Sequence, residues 1–288
     1  MWGMLVSGLS MKTVPRELVR MMQVERLRGP AREAVADAVA IEEPLGIFLE
    51  YWSKEKQRTE SLTVTMRTPG NDHELAIGHL YSEGVLQWRS DLKDIRHLGG
   101  NDSNELLVEL AKGVDVDAWR LRRTSIMQAS CGICGKQNVD VLGELGQVAA
   151  DDFVIDAQVI FGLPEILRAY QTGFAQTGGL HAAALVGETG EIANVFEDIG
   201  RHNALDKLIG ACFLAGTTPL ARKVLFLSSR GSFELVQKAA AAGAPILATV
   251  GSPSTLAIEA AERAGVTLIG FVRDGRFNVY SGFKRIRS

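Results

Sequence analysis

The sequence has little cysteine and no long apolar segment, and each shortage excludes a class of protein. Three cysteines in 288 residues cannot build a disulfide framework, so the Cys-x-x-Cys pair among them is typical of redox, metal-binding or group-transfer chemistry. No run of about 18 apolar residues is present, so no membrane-spanning helix is expected. Met1–Ser10 is mildly apolar but lacks the basic start and the cleavage site of a signal peptide. We therefore expect a cytoplasmic protein.

Excess positive charge and the common phosphate-binding motifs are also missing. Lys and Arg number 31 against 34 Asp and Glu, and the formal net charge of −3 argues against a nucleic-acid-binding protein with a broad basic surface. Neither a Walker A motif nor a complete Gly-x-Gly-x-x-Gly occurs, which disfavours ATPases and dinucleotide-dependent dehydrogenases.

The length and the apolar pattern predict two domains behind a tail. Residues 1–38 are rich in arginine, contain the helix-breaking Gly29-Pro30 pair and are expected to be a flexible tail. Residues 39–124 are expected to form a small α+β domain, followed by a Cys-x-x-Cys loop over 125–138. Within the small domain, Leu62, Val64 and Met66 alternate with polar residues and predict one face of a strand.

Residues 139–288 have the clearest pattern and predict an α/β domain. Continuous apolar strands over 224–227, 246–250 and 266–271 alternate with helices, which indicates a parallel sheet covered on both faces. The ends of these strands are expected to open on one edge of the sheet, where such sheets bind ligands. Helix N-termini and guanidinium groups at that edge predict an anion pocket for a nucleotide or pyrophosphate group. The residues concerned are Ser229, Arg230, Arg273 and Arg276.

Two further groups of residues have candidate roles. Four polar residues are concentrated around a strand and the start of an apolar helix. They are candidates to cap the helix or to line a cavity, and they are His181, Asp198, Arg201 and His202. Cys212 falls on the apolar face of that helix and is predicted to be a core residue without chemistry.

The Cys-x-x-Cys pair comprises Cys131 and Cys134, and a glycine follows each. Glycine permits backbone conformations that other residues resist, so we expect a mobile loop that exposes reactive sulfur. Lys136 adds a cation just beyond the pair, which would lower a thiol pKa and raise the thiolate fraction.

A series of motifs in this chain resembles the FdhD/NarQ family of formate dehydrogenase accessory sulfurtransferases. The resemblance runs from about Glu43 to Tyr280 and rests on motifs in a fixed order. These are Thr68-Pro69, Ser82-Glu83-Gly84, Cys131-Gly132-x-Cys134-Gly135, Thr177-Gly178-Gly179-x-His181, Glu197-Asp198-x-Gly200-Arg201-His202-Asn203, Ser228-Ser229-Arg230, Phe233-Glu234-x-Val236-Gln237-Lys238 and Gly270-Phe271-Val272-Arg273-Asp274-Gly275-Arg276.

The resemblance implies a homodimeric sulfur carrier that takes sulfur from a cysteine desulfurase and gives it to a molybdenum cofactor. The implied recipient is the bis(molybdopterin guanine dinucleotide) form destined for formate dehydrogenase, and no permanently bound metal is expected. The persulfide-forming cysteine of the family matches Cys131, and Cys134 is the second candidate catalytic residue. The cofactor-binding segment matches Phe271, Val272, Arg273, Asp274, Gly275 and Arg276, and Ser229, Arg230, His181 and His202 are further candidates. The implied fold is a three-layer, cytidine-deaminase-like α/β domain with a mixed, mostly parallel sheet.

Other functions compete with this one. A zinc deaminase needs a glutamate beside its histidine ligand, but His181-Ala182-Ala183 lacks one, and the cysteines precede the histidine. A structural zinc site would have only half its ligands in the Cys-x-x-Cys pair. A dithiol oxidoreductase would leave the anion-binding edge without a purpose. The remaining alternative is a non-enzymatic cofactor chaperone, which would not need Cys131.

Overall fold

The structure is a computed structural model, and it describes residues 18–100, 103–114, 116, 146–148 and 152–288. Cys131, Cys134 and the predicted loop over 125–138 lie outside the described residues. Within the described part, no helix is both long and apolar enough to cross a membrane.

The N-terminal half contains a four-stranded sheet and one helix. Its elements are β1 (Val19–Arg28), β2 (Ala31–Ala40), β3 (Glu43–Ser53), β4 (Lys56–Arg67), α1 (Asp72–Ser82), β5 (Leu92–His97) and β6 (Glu105–Leu110). The sheet has the strand order β4-β3-β6-β5, and β3 runs parallel to β6. Apolar side chains of α1 and of the sheet form one core.

A β-bulge at Leu62 changes which side chains of β4 face the core. Thr63 pairs with Ile47 but Ser61 pairs with Phe48, so Leu62 is an extra residue without a partner on β3. Leu62 and Thr63 are both buried, and beyond them Val64 and Met66 point outward. The prediction that Leu62, Val64 and Met66 share one face is therefore wrong, because one inserted residue reverses the alternation.

The expected flexible tail over 1–38 is wrong for the part that the structure describes. Strands β1 and β2 pair along their full length as an antiparallel hairpin, with Gly29 at positive φ in the turn. Gly29-Pro30 thus breaks a helix but favours a hairpin turn. Most side chains of the β1–β2 hairpin are exposed, and both of its strands contact the short helix over Thr172–Thr177.

The C-terminal half is built around a six-stranded sheet. Its elements are β7 (Ile155–Asp156), α2 (Ala157–Tyr170), α3 (Thr172–Thr177), β8 (His181–Val186), β9 (Ile192–Asp198), α4 (Arg201–Leu214), β10 (Val224–Leu227), α5 (Phe233–Ala241), β11 (Ile246–Thr249), α6 (Thr255–Ala264), β12 (Thr267–Arg273), β13 (Arg276–Val279) and β14 (Ile286–Arg287). The strand order is β13-β12-β11-β10-β8-β9.

This sheet is mixed, as predicted, but it is not mostly parallel. The pairs β10–β11 and β11–β12 are parallel, whereas β12–β13, β10–β8 and β8–β9 are antiparallel. The short turns over Gly187–Gly190 and Asp274–Gly275 join neighbouring strands directly, and a turn of that length can only make an antiparallel pair. The three central strands keep the parallel order that their apolar runs predict.

Two apolar clusters cover opposite faces of the sheet. On one face α4, α5 and α6 bury Leu225, Leu247 and Leu268. On the other face α2 covers Phe226, Ala248 and Ile269. Helix α2 begins at Ala157, where Asp156 caps it through Gln158 N at 2.9 Å, and not at Pro164 as its first-turn proline predicts. A helix that begins at Pro164 is predicted to point Ile166, Leu167 and Tyr170 inward, but of these three only Leu167 is buried.

Helices α1 and α4 join the two halves by an unusually close crossing. A Cβ atom at Gly78 would lie 1.9 Å from the carbonyl oxygen of Asp206, and one at Gly210 would lie 1.9 Å from that of Glu74. Only glycine allows the backbones to approach so closely. This contact fixes the N-terminal half against α4, whose first turn carries Arg201, His202 and Asn203.

Candidate functional site

A cavity of about 550 Å³ lies between the two halves of the chain. It falls within the range of about 300–1,000 Å³ that small-molecule sites occupy. From the N-terminal half it is lined by Glu42, Ile47, Thr63, Val64, Thr65, Met66, Leu75, His79 and Glu83. From the C-terminal half it is lined by His181, Ile199, Gly200, Arg201, His202, Asn203, Asp206, Glu234, Gln237 and Lys238.

Side-chain contacts between elements hold the walls of this cavity together. Asn203 at the start of α4 donates from Nδ2 to the carbonyl oxygen of Met66 on β4 at 2.8 Å. Lys238 on α5 donates to both carboxylate oxygens of Asp206 on α4, at 2.8 and 3.0 Å. His202 Nε2 lies 3.0 Å from Glu234 Oε2. The cavity is thus a preformed space, since each wall is tied to the next.

Because of the bulge at Leu62, two apolar side chains of β4 line the cavity beside Thr63 and Thr65. Val64 is 52% exposed and Met66 is 49% exposed, and both line the cavity. Sequence reasoning missed these two residues, because simple alternation assigns them to the core. No local signal in the sequence marks the bulge.

Two charged groups that line the cavity make no salt bridge to a described residue. Arg201 also has a buried Nε without a hydrogen-bond partner among the described residues. The Glu83 carboxylate still interacts electrostatically with the Lys238 ammonium and helps to raise its pKa. A buried donor without a partner is costly, so Arg201 is the group better suited to meeting a ligand.

Burial keeps two of the cavity histidines neutral near pH 7. The pKa of His79 is lowered below its ordinary value of 6.5 by burial and by the nearby Lys238 ammonium. The pKa of His181 is also lowered, by burial and by the charge of Arg201. Burial alone would lower the pKa of Lys238 too, but the carboxylates of Asp206 and Glu83 raise it, so this ammonium stays charged. His79 Nε2 is a buried atom without a partner among the described residues.

Asp198 has a structural role beneath the cavity. Its carboxylate accepts hydrogen bonds from the backbone N–H groups of Thr68 and Gly200, at 3.2 and 2.8 Å. Lys207 Nζ lies 2.7 Å from the same carboxylate and also donates to the carbonyl oxygen of Thr68 at 2.9 Å. Asp198 is fully buried and fully partnered, so it fixes β4 against the start of α4 and leaves the adjacent Arg201 and His202 at the cavity.

The predicted sheet edge is present, and its loops are connected by backbone hydrogen bonds. Gly251 N donates to Ser229 O at 3.0 Å, and Phe271 N donates to Gly251 O at 3.1 Å. Ala182 N donates to Ser228 Oγ at 2.8 Å, which brings the start of β8, and so His181, to the same edge.

The segment Phe271–Arg276 forms the hairpin between β12 and β13. Asp274 and Gly275 have positive φ angles of 53° and 68°, which is the geometry of a two-residue hairpin turn. Arg273 and Arg276 flank the turn and are exposed. Val272 is fully buried in the core, so only its backbone could meet a ligand.

The structure separates the predicted site residues into two groups. His181 and His202 line the cavity, whereas Ser229, Arg230 and the Phe271–Arg276 hairpin do not. Sequence reasoning missed His79, Glu83, Glu234, Gln237 and Lys238 as cavity residues. Four of these five belong to the motifs Ser82-Glu83-Gly84 and Phe233–Lys238, so their presence in a motif was the available signal.

Of the three cysteines, Cys212 is described and cannot serve as an accessible nucleophile. It is 1% exposed, and burial raises the pKa of its thiol. Its predicted core position is confirmed. Any accessible thiol nucleophile of this chain would therefore have to be Cys131 or Cys134, which lie outside the described residues.

Comparison with known proteins gives consistent matches over nearly the whole chain. A sequence model of the FdhD/NarQ family matches residues 40–287. The chain is 42% identical over 273 residues to the sulfur carrier protein FdhD of Streptomyces avermitilis, covering 92% of this chain and 94% of that protein. It is 39% identical to the sulfur carrier protein FdhD of Sulfolobus acidocaldarius, covering 93% of this chain and 98% of that protein.

A solved structure shares the fold. It is a protein of Desulfotalea psychrophila described as a formate dehydrogenase accessory protein, with a TM-score of 0.72 and 24% sequence identity. The match covers 94% of this chain and 100% of that one.

Proposed function

This chain belongs to the FdhD/NarQ family, and from that premise we propose that it carries sulfur in the maturation of a formate dehydrogenase. The observation that carries the proposal is the Cys131-Gly132-x-Cys134-Gly135 motif, in a chain 42% identical to a sulfur carrier protein. The burial of Cys212 supports it, because the third cysteine cannot compete for sulfur.

In the proposed loading step, the Cys131 thiolate attacks the outer sulfur of a persulfide on a cysteine desulfurase. A sulfur–sulfur bond forms at Cys131, the donor's bond breaks, and the donor cysteine leaves as a thiolate. The step is an exchange that needs neither an oxidant nor a reductant. It requires a compartment in which thiols stay reduced, so the proposal includes a cytoplasmic location.

The proposed recipient is the molybdenum cofactor with two molybdopterin guanine dinucleotides, bound as a substrate. The residues present suit such a group, because Arg201 has a buried Nε without a partner among the described residues. The exposed Arg273 and Arg276 offer further guanidinium groups for phosphates. The proposal further includes formate dehydrogenase as the client and a homodimer as the working assembly.

Mass spectrometry after incubation with a cysteine desulfurase and free cysteine tests the loading step. We expect one added sulfur atom on the peptide that contains Cys131, and no addition in the Cys131→Ala protein. The Cys212→Ala protein is the matched control and should load normally, since that thiol is buried. The Cys134→Ala protein shows whether the second cysteine relays sulfur or only tunes the first.

Client activation separates this function from the chaperone alternative. The Cys131→Ala protein should fail to activate formate dehydrogenase. Full activation by that protein would exclude the sulfur carrier and leave a cofactor chaperone that does not need the thiol.

A further inference from the structure

We infer that His73 and His97 form a binding site for a divalent transition-metal ion, which one nitrogen of each imidazole holds and water completes. His73 lies in the first turn of α1, and His97 is the last residue of β5. Neither residue lines the cavity between the two halves, so the inference goes beyond the proposed function and does not depend on it.

The spacing of the two imidazole rings suits two ligands of one metal ion. The ring centres of His73 and His97 lie 5.4 Å apart, and the ring planes are inclined by 30°. A metal–nitrogen bond of about 2.0–2.1 Å puts each ring centre about 3.2 Å from the metal, so two imidazoles at a tetrahedral angle have centres about 5.2 Å apart. The distance in the structure is close to that value.

Each of the two rings has one nitrogen available to a ligand. His73 Nε2 and His97 Nδ1 are buried atoms, and neither has a hydrogen-bond partner among the described residues. A buried polar atom without a partner costs free energy, and one ion between the rings would satisfy both nitrogens together. Imidazole nitrogen suits zinc, copper and nickel ions.

The other nitrogen of His97 lies beside a carboxylate. His97 Nε2 is 3.8 Å from Asp72 Oδ2, and Arg67 holds this carboxylate in place by donating to both of its oxygens, at 2.9 and 3.0 Å. A carboxylate on that side favours the proton on Nε2 and leaves the lone pair on Nδ1. Metal-binding histidines commonly have a carboxylate in this position, because it orients the ring and makes the ligating nitrogen more basic.

The charges around the two rings favour a cation. Three carboxylates act on the His73 ring in the sense that favours positive charge, and they are those of Asp72, Glu74 and Asp94. Two of them, Asp72 and Asp94, pair with arginines, so Glu74 leaves an excess negative charge beside the site.

The site has two protein ligands, so it binds its ion reversibly. No group of three protein ligands is assembled in the part of the chain that the structure describes. Water therefore completes the coordination, and it can enter past His73, which is only half-buried.

Isothermal titration calorimetry with Zn²⁺ tests the site in the full-length protein, with Cys131→Ser and Cys134→Ser present throughout to remove competing thiols. We expect one Zn²⁺ per chain at this site. His73→Gln and His97→Gln should each weaken its binding by at least about ten-fold, because each removes one of the two protein ligands.

His79→Gln is the matched control for these two variants. His79 Nε2 is also a buried atom without a partner among the described residues, but no second imidazole of the described chain stacks on its ring. The control should therefore bind Zn²⁺ as the parent protein does. Equal affinity in the parent, His73→Gln and His97→Gln proteins would overturn the inference, as would the absence of binding at millimolar Zn²⁺.

Electron paramagnetic resonance with Cu²⁺ identifies the ligands without relying on a substitution. The nitrogen hyperfine splitting of the ion bound to the parent protein should show two imidazole nitrogens. This measurement tests the inference even where a substitution impairs folding. A signal from one imidazole nitrogen, or from none, would contradict a site shared by His73 and His97.

Discussion

Replacing Gly210 by alanine should loosen the crossing of α1 and α4, which joins the two halves of the protein. The added Cβ atom would lie 1.9 Å from the carbonyl oxygen of Glu74 and 2.7 Å from the backbone nitrogen of Gly78. Both are backbone atoms of α1, so no side-chain rotation can relieve the overlap. The helices must separate by more than an ångström or distort.

The magnitude follows from two opposing effects. Alanine in a helix interior is more favourable than glycine by about 1 kcal/mol. Overpacking a well-packed site costs about 1–3 kcal/mol, and a contact this short against backbone belongs at or above the upper end of that range. We therefore expect a net loss of about 2 kcal/mol in the free energy of unfolding. That loss corresponds to a fall in Tm of about 3 °C, because the entropy of unfolding grows with chain length and this chain has 288 residues.

Gly162 in α2 offers a matched control. It is also inside a helix, but a Cβ atom there would meet only Ile166 Cδ1, at 3.7 Å. Gly162→Ala should therefore gain the helix propensity without the overlap and raise the stability by about 1 kcal/mol. Urea denaturation followed by circular dichroism measures both variants. Equal stabilisation by Gly210→Ala and Gly162→Ala would refute the close crossing of α1 and α4.

Two more predictions concern the charged groups around the cavity. Lys238→Met should cost about 3–5 kcal/mol in denaturation experiments, because it leaves the buried Asp206 carboxylate uncompensated, and a second change, Asp206→Leu, should recover part of the loss. The pKa of His79 lies below its ordinary 6.5 in the folded state, so the unfolded chain binds more protons below that pH. Stability should be full above about pH 6.5 and should fall as the pH drops below it, less steeply in His79→Gln. The lowered pKa values of His73 and His181 act in the same direction, so a slope identical in His79→Gln and the unchanged protein would count against a neutral buried His79.

The sequence alone was enough to predict elements whose stability depends on local patterns. The strand predicted over 224–227 occurs with those bounds, and the strands predicted over 246–250 and 266–271 occur as Ile246–Thr249 and Thr267–Arg273. Each is an apolar run or stripe limited by glycine or polar residues, so its ends are encoded within a few positions. The buried face of α4, including Cys212, followed from helical spacing for the same reason. The family motifs likewise predict Cys131 and Cys134 as the sulfur-carrying residues, and that prediction lies outside the described residues.

Only the tertiary structure decided which strands pair and which polar residues meet. Because β8 pairs with β10 in antiparallel orientation, the larger sheet has more antiparallel than parallel strand pairs. Residues 19–28, predicted to be part of a flexible tail, form a strand because they pair with β2. A bulge of one residue at Leu62 turns Val64 and Met66 toward a cavity between the two halves, which α1 and α4 hold together at two glycines. The cavity brings together residues that are far apart in the chain, among them Glu83, Arg201 and Glu234. Their proximity depends on the crossing of α1 and α4. Such contacts are set by packing between distant segments, which leaves no periodic signal in the sequence.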